Sequence, residues 1–185
     1  MSPPEQGRKR PSDSTCGASS RHPESRVALA LGGNHPDSLT ALRLAYRALG
    51  RVVSEARVSP VFRSPPLGGP VQPEFLNAAV IGRSALPAAD LLAVAKEIEH
   101  SLGRRRSRRW GPRRIDIDLL LHGELISDRP ELTLPHPGLL SRDFVLQPLA
   151  RIASDWSIPG SGLTVAEALA RLSSAGAVEL DQRLD

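Results

Sequence analysis

The chain has 185 residues, 40% of them apolar, and a formal net charge of +4, enough for one domain with a single sizeable core. No apolar run approaches the roughly 18 residues of a membrane-spanning helix. The single cysteine, Cys16, cannot close an internal disulfide, and the N-terminus lacks the apolar stretch of a secretory signal, so a cytoplasmic protein with no membrane partner is expected. The charge is local. Residues 104–114, RRRSRRWGPRR, hold seven arginines and no acid, the first 26 residues carry +2, and the remainder carries −5. A mildly acidic body with one basic loop fits an anion site better than a nucleic-acid surface, which would spread its cations over a face or groove. The two lysines, Lys9 and Lys96, do not follow a glycine, which excludes a Gly-Lys-Ser/Thr phosphate loop.

Residues 1–25 contain no Leu, Ile, Val or Phe and read as a disordered tail. A strand is predicted over Val27–Leu31, ending at Gly32-Gly33-Asn34, and a helix from about Pro36, where Leu39, Leu42, Tyr46 and Leu49 recur at helical spacing before Gly50. Residues 51–62 and 74–83 read as strands, joined by the Pro- and Gly-rich stretch 64–73, which cannot continue a sheet. Pro87 opens a second helix with an apolar stripe of Leu91, Val94, Ala95, Ile98 and Leu102, closed by Gly103. After the arginine loop comes a strand over 115–121, then short extended pieces, a helix from about 143 to 153 and a short one within 163–172. The domain is placed at 26–172, with 173–185 as a C-terminal tail. The order β-α-β-β-α-β is that of an α+β ferredoxin-like sandwich, an antiparallel sheet with helices on one face.

Asp116-Ile117-Asp118 interrupts an otherwise apolar strand. Side chains alternate along a strand, so both carboxylates share one face, roughly 6.5–7 Å apart at their Cα atoms. Unpaired they would repel, and a divalent cation would reverse that cost, with oxygen-only ligands favouring Mg²⁺. A solvated face paired to arginines is the alternative. The adjacent arginines bring guanidinium charge to the same place, as polyphosphate handling requires. Seven guanidiniums in eleven residues also repel one another, so 104–112 is expected to be mobile without an anion.

Several strings together resemble one family: Leu31-Gly-Gly-Asn34, Phe62-Arg-Ser-Pro-Pro-Leu-Gly68, Gln72-Pro-Glu-Phe-Leu-Asn-Ala-Ala79, Arg109-Trp-Gly-Pro-Arg-Arg-Ile-Asp-Ile-Asp118, Leu132-Thr-Leu-Pro-His136 and Arg142-Asp-Phe144. In order, across about residues 27–153, they look like 6-hydroxymethyl-7,8-dihydropterin pyrophosphokinase of folate biosynthesis. The resemblance implies transfer of pyrophosphate from MgATP to the pterin's hydroxymethyl oxygen, releasing AMP; a monomer with no nucleic-acid partner is expected. It implies that Asp116 and Asp118 bind two Mg²⁺ ions, Asp118 also easing deprotonation of the attacking hydroxyl, with Arg104 and Arg113 completing the catalytic set. Glu99, Arg106, Arg109, Trp110, Leu119, His136 and Arg142 would serve ATP. Ser64, Pro65, Leu67, Phe75, Asn77, Trp110 and Phe144 would form the pterin pocket. Gly33 stands where a serine is common, and Lys96 and Glu131 where an uncharged and a basic residue are expected. The rival reading is a ferredoxin-like nucleic-acid-binding module using the arginine loop. Only six aromatic residues exist to stack bases, and that reading gives Asp116 and Asp118 no task.

Overall fold

The structure, a computed structural model, describes residues 23–68, 71–104, 111–172 and 176–185. Strand β1 (Ser25–Gly33) is an inner strand of the main sheet, and helix α1 (Ser38–Leu49) follows it. Strands β2 (Ser54–Val58) and β3 (Phe62–Ser64) stand where one strand over 51–62 is predicted. Pro60 offers no main-chain donor, so the extended run is cut there. Strand β4 (Phe75–Ser84), helix α2 (Ala88–Ser101) and strand β5 (Asp116–His122) complete the unit. β4 and β5 flank β1, while β2 and β3 both pair with β4, and every pairing is antiparallel. This is the expected ferredoxin-like order.

Alternation along β1 separates two cores. Val27, Leu29 and Leu31 point to one face, where they pack with Ala41, Leu42, Ala45 and Leu49 of α1 and Leu91, Ala95 and Ile98 of α2. Ala28 points to the other face, into a second cluster built by helix α3 (Asp143–Ala153) and the short helix α4 (Val165–Ala170). Helices therefore cover both faces, not one as expected. Element order alone does not say on which side a helix after the sixth element returns. Hairpins β6 (Ser127–Arg129) with β7 (Leu132–Leu134) and β8 (Ser157–Ile158) with β9 (Leu163–Thr164) link these parts.

Both expected ends of the domain shift. Strand β1 already begins at Ser25, and Glu24 pairs with Arg83; the rest of the expected N-terminal tail, residues 1–22, lies outside the described residues. At the other end, strand β10 (Val178–Glu179) pairs with β3, and Leu184, 1% exposed, enters the core beneath α1. Residues 176–185 thus belong to the folded unit and are not a tail.

Candidate active site

The register of the sheet builds the site. Gly32 of β1 faces Asn77 of β4 on one side and Asp116 of β5 on the other, and Ala30 lies between Ala79 and Asp118 in the same way. Directly opposed residues point to the same face, so the middle strand contributes almost no side chain between the carboxylates and Asn77. A cleft of about 200 Å³ opens there, lined by Asp116, Asp118, Arg113, Arg142 and every expected pterin residue that the structure describes: Ser64, Pro65, Leu67, Phe75, Asn77 and Phe144. Alternation holds as predicted in β5, since Ile117 and Leu119 on the opposite face are buried in the core. Leu119, expected to serve ATP, can therefore do so only through its main chain.

The two carboxylates are not bare. Arg104 Nη1 lies 2.8 Å from Asp116 Oδ1, and Arg113 Nη1 lies 2.6 Å from Asp116 Oδ2. Lys96 Nζ stands 4.0 Å from Asp116 Oδ1 and 3.8 Å from Asp118 Oδ1. Burial acts to raise the Asp116 pKa, but Arg104, the hydrogen bond from Arg113 and the charges of Arg113 and Lys96 outweigh it and hold the carboxyl below its ordinary value. Burial likewise opposes the charge on Arg104, and Asp116, Glu99 and Asp118 reverse that, keeping its pKa raised.

Glu99, expected at the nucleotide site, is instead a buried anchor, 2% exposed. It accepts hydrogen bonds from Lys96 Nζ at 2.9 Å, from the Ile117 amide at 2.6 Å, and from Arg104. Lys96 also donates to the Ile117 carbonyl at 3.0 Å. One turn of α2 is thus tied to β5 between its two aspartates. Lys96 and Glu99 lie three apart on one helix face, which the sequence permits one to read, but their shared partner Ile117 is far along the chain.

His136 is positioned by its main chain, whose N–H donates to the Leu120 carbonyl of β5 at 3.0 Å. Its Nδ1 accepts from the Gly138 amide at 3.0 Å, which leaves Nε2 as the protonated nitrogen of the neutral ring, 3.9 Å from Asp118 Oδ2. Burial, and then Arg142 and Lys96, lower the His136 pKa against the opposing pull of Asp118 and Asp116. Gly138 leaves room for Arg142, since a Cβ there would meet its guanidinium at 2.7 Å. Arg142 in turn stands 5.9 Å from the centre of the Phe144 ring.

Asn34, given no role from sequence, joins the loops on either side of the cleft. Its Nδ2 donates to Gln72 Oε1 at 2.9 Å, its Oδ1 accepts from the Arg113 amide at 2.7 Å, and its own amide donates to the Arg113 carbonyl at 2.9 Å. Gly33 allows the close approach: a Cβ there would lie 2.5 Å from the Arg114 carbonyl oxygen and 2.6 Å from Ser38 Oγ. The hydroxyl of Ser38 donates to that carbonyl at 3.0 Å, taking space a serine at position 33 would need. Arg106, Arg109 and Trp110, and the mobility expected of the loop carrying them, lie outside the described residues.

A sequence model described as 7,8-dihydro-6-hydroxymethylpterin-pyrophosphokinase (HPPK) matches residues 28–154, the span holding every described residue of this cleft. The chain belongs to the HPPK family. Among curated relatives, 2-amino-4-hydroxy-6-hydroxymethyldihydropteridine pyrophosphokinase of Methylorubrum extorquens is 46% identical over 82% of this chain and 96% of its own length. The Synechocystis enzyme of the same name is 40% identical over 75% of this chain and 72% of its own. The wild-type HPPK-DHPS structure of Plasmodium falciparum superposes with a TM-score of 0.64 at 12% identity, covering 82% of this chain and 45% of that one, and speaks for the fold alone. The activity is that of HPPK, ATP-dependent pyrophosphoryl transfer to hydroxymethyldihydropterin in folate biosynthesis. The nucleic-acid-binding alternative gives way to it.

Proposed function

We propose that the one cleft receives both substrates, the pterin between Phe75, Asn77 and Phe144 and the triphosphate against Asp116, Asp118 and the cations at the rim. Phe75 from β4 and Phe144 from α3 offer aromatic faces to a flat ring, and Pro65 and Leu67 offer a wall. Asn77 donates one of its two amide hydrogens to Ser64 Oγ at 2.9 Å, which orients its side chain, and its Oδ1 would accept from a ring N–H. Arg104, Arg113, Arg142 and His136 would donate to phosphate oxygens, and Arg106, Arg109 and Trp110 keep the ATP role that the resemblance implies.

The donor set fits magnesium. Among the described residues no cluster of three or more His, Cys, Asp or Glu is placed to hold a metal. Two neighbouring carboxylates suit an ion that takes one or two of them and completes its shell with phosphate oxygens and water. Two Mg²⁺ ions held there with ATP would neutralise the triphosphate and polarise the β-phosphoryl group. The chain itself aligns the hydroxymethyl oxygen with that phosphorus and accepts its proton.

Asp118 is the acceptor in this reading. Both oxygens of Asp116 are bound by guanidiniums, whereas the donors nearest Asp118, the Lys96 ammonium and the neutral His136 ring, stand at 3.8 and 3.9 Å. The test is AMP release by Asp118→Asn with saturating Mg²⁺, ATP and dihydropterin. Turnover should drop about 100-fold or more, and near-normal turnover would overturn the assignment. The reading also takes the enzyme as a monomer, checked by light scattering, and as cytoplasmic. Among the described residues no helix is long and apolar enough to cross a membrane.

A further inference from the structure

Segment 176–185 touches neither carboxylate and lies beyond the family match, yet it is bound along its length. Val178 and Glu179 pair with Arg63 and Phe62 of β3. The Leu180 amide donates to the Val61 carbonyl at 2.8 Å, and the Val61 amide to the Gln182 carbonyl at 3.0 Å. Glu179 forms an ion pair with Arg151 of α3, and Leu184 is buried.

Its first residues are held by one side chain. Asp143 Oδ2 accepts from the Gly176 amide at 2.6 Å and the Ala177 amide at 3.2 Å, while Oδ1 accepts from the Phe144 amide at 2.8 Å. Asp143 lies between Arg142 and Phe144, both of which line the cleft. The strand it secures runs along β3, whose last residue, Ser64, also lines the cleft and takes the hydrogen bond from Asn77. Pro148 within α3 has no N–H, so the Phe144 carbonyl loses its helical partner and the first turn is less restrained from within.

We propose that Asp143 is a positioning residue for the pterin, clasping segment 176–185 so that the Phe144 wall and the Ser64 wall stand one flat ring apart. The inference rests on the assignment of this end of the cleft to the pterin. Removing the carboxylate frees both ends of the clasp. An asparagine keeps one acceptor oxygen and turns an N–H₂ group toward one set of donors, so it releases only part.

Asp143→Ala and Asp143→Asn are compared with the wild-type protein. Steady-state kinetics gives KM for each substrate, calorimetry gives Kd for the pterin and for an unreactive ATP analogue, and hydrogen exchange follows the amides of 176–182. For Asp143→Ala the pterin Kd and KM should rise about ten-fold, the size of one lost charge-assisted hydrogen bond, with the analogue Kd and kcat within about two-fold and exchange at 176–182 faster. Asp143→Asn should fall between, and it carries the test if the alanine variant does not fold. Faster exchange with an unchanged pterin Kd, or equal weakening of both ligands, would overturn the proposal. Wild-type protein that takes up the ATP analogue but no pterin would overturn the underlying reading of the cleft instead.

Discussion

A single nitrogen of Arg104, Nη1, stands 2.8 Å from Asp116 Oδ1 and also donates to Glu99, a buried residue. With Arg113 on the second Asp116 oxygen, the free cleft carries its own counter-ions. Loading it with the metal and triphosphate would exchange partners, carboxylates passing from guanidinium to metal and guanidiniums from carboxylate to phosphate, so that charge is balanced before and after.

The two aspartates should therefore respond differently to removal of their charge. Asp116→Asn leaves Arg104, Arg113 and Lys96 facing one another, and should lose about 1–3 kcal/mol of stability along with turnover. Asp118→Asn should lose turnover while stability stays within about 0.5 kcal/mol. Urea unfolding beside AMP release separates the two, and equal destabilisation by both variants would refute this charge balance.

Much of this was legible beforehand because it is local. Alternation in 115–121 places Asp116 and Asp118 on one face, and the helix expected over about 143–153 forms over Asp143–Ala153. A further signal lay in Ala28, Ala30 and Gly32, small residues alternating with Val27, Leu29 and Leu31, which mark the face where the cleft opens. What escaped is non-local. β10 is two residues long and has no period to read, and it is ordered by pairing with a strand more than a hundred residues earlier. The tie between Glu99 and Ile117 is likewise set by docking of α2 on β5 and not by either segment alone.

Two adjacent glycines should behave oppositely. A Cβ at Gly32 would meet only Asn77 Oδ1, at 3.5 Å, an ordinary contact, but it would rise from the cleft floor between Asn77 and Asp116. Gly32→Ala should fold normally and raise the pterin KM. Gly33→Ala would bring its methyl to 2.5 Å from the Arg114 carbonyl oxygen and should cost about 1–3 kcal/mol. Thermal unfolding of the pair checks the contrast, and a Gly33 variant as stable as wild type would show that the loop moves aside.

Phe144→Ala should weaken pterin binding by about 1–3 kcal/mol, by analogy with a base stacked on one aromatic face. ATP-analogue binding should hold, since the triphosphate is assigned to the carboxylates and the cations beside them and not to Phe144. An unchanged pterin Kd in a folded variant would return Phe144 to a packing role.

Stability should fall with acid in two windows. His136 has a lowered pKa in the fold, chiefly through burial and then through Arg142 and Lys96, so as pH drops through its ordinary value of 6.5 the unfolded chain takes up the proton first. Stability from the neutral ring is present in full above that value and is lost as pH falls toward the folded pKa. Asp116 behaves the same way lower down. Its carboxylate is held below the ordinary 3.8 by Arg104, Arg113 and Lys96 against the opposing effect of burial, so its contribution is complete above that value and disappears as pH drops through the folded pKa. Urea unfolding across about pH 8 to 2 should show His136→Gln flattening the upper decline and Asp116→Asn the lower one. Curves for His136→Gln and wild type that run parallel from about pH 7 to 5 would mean that the ring is as easily protonated in the fold as out of it, contrary to its burial beside Arg142 and Lys96.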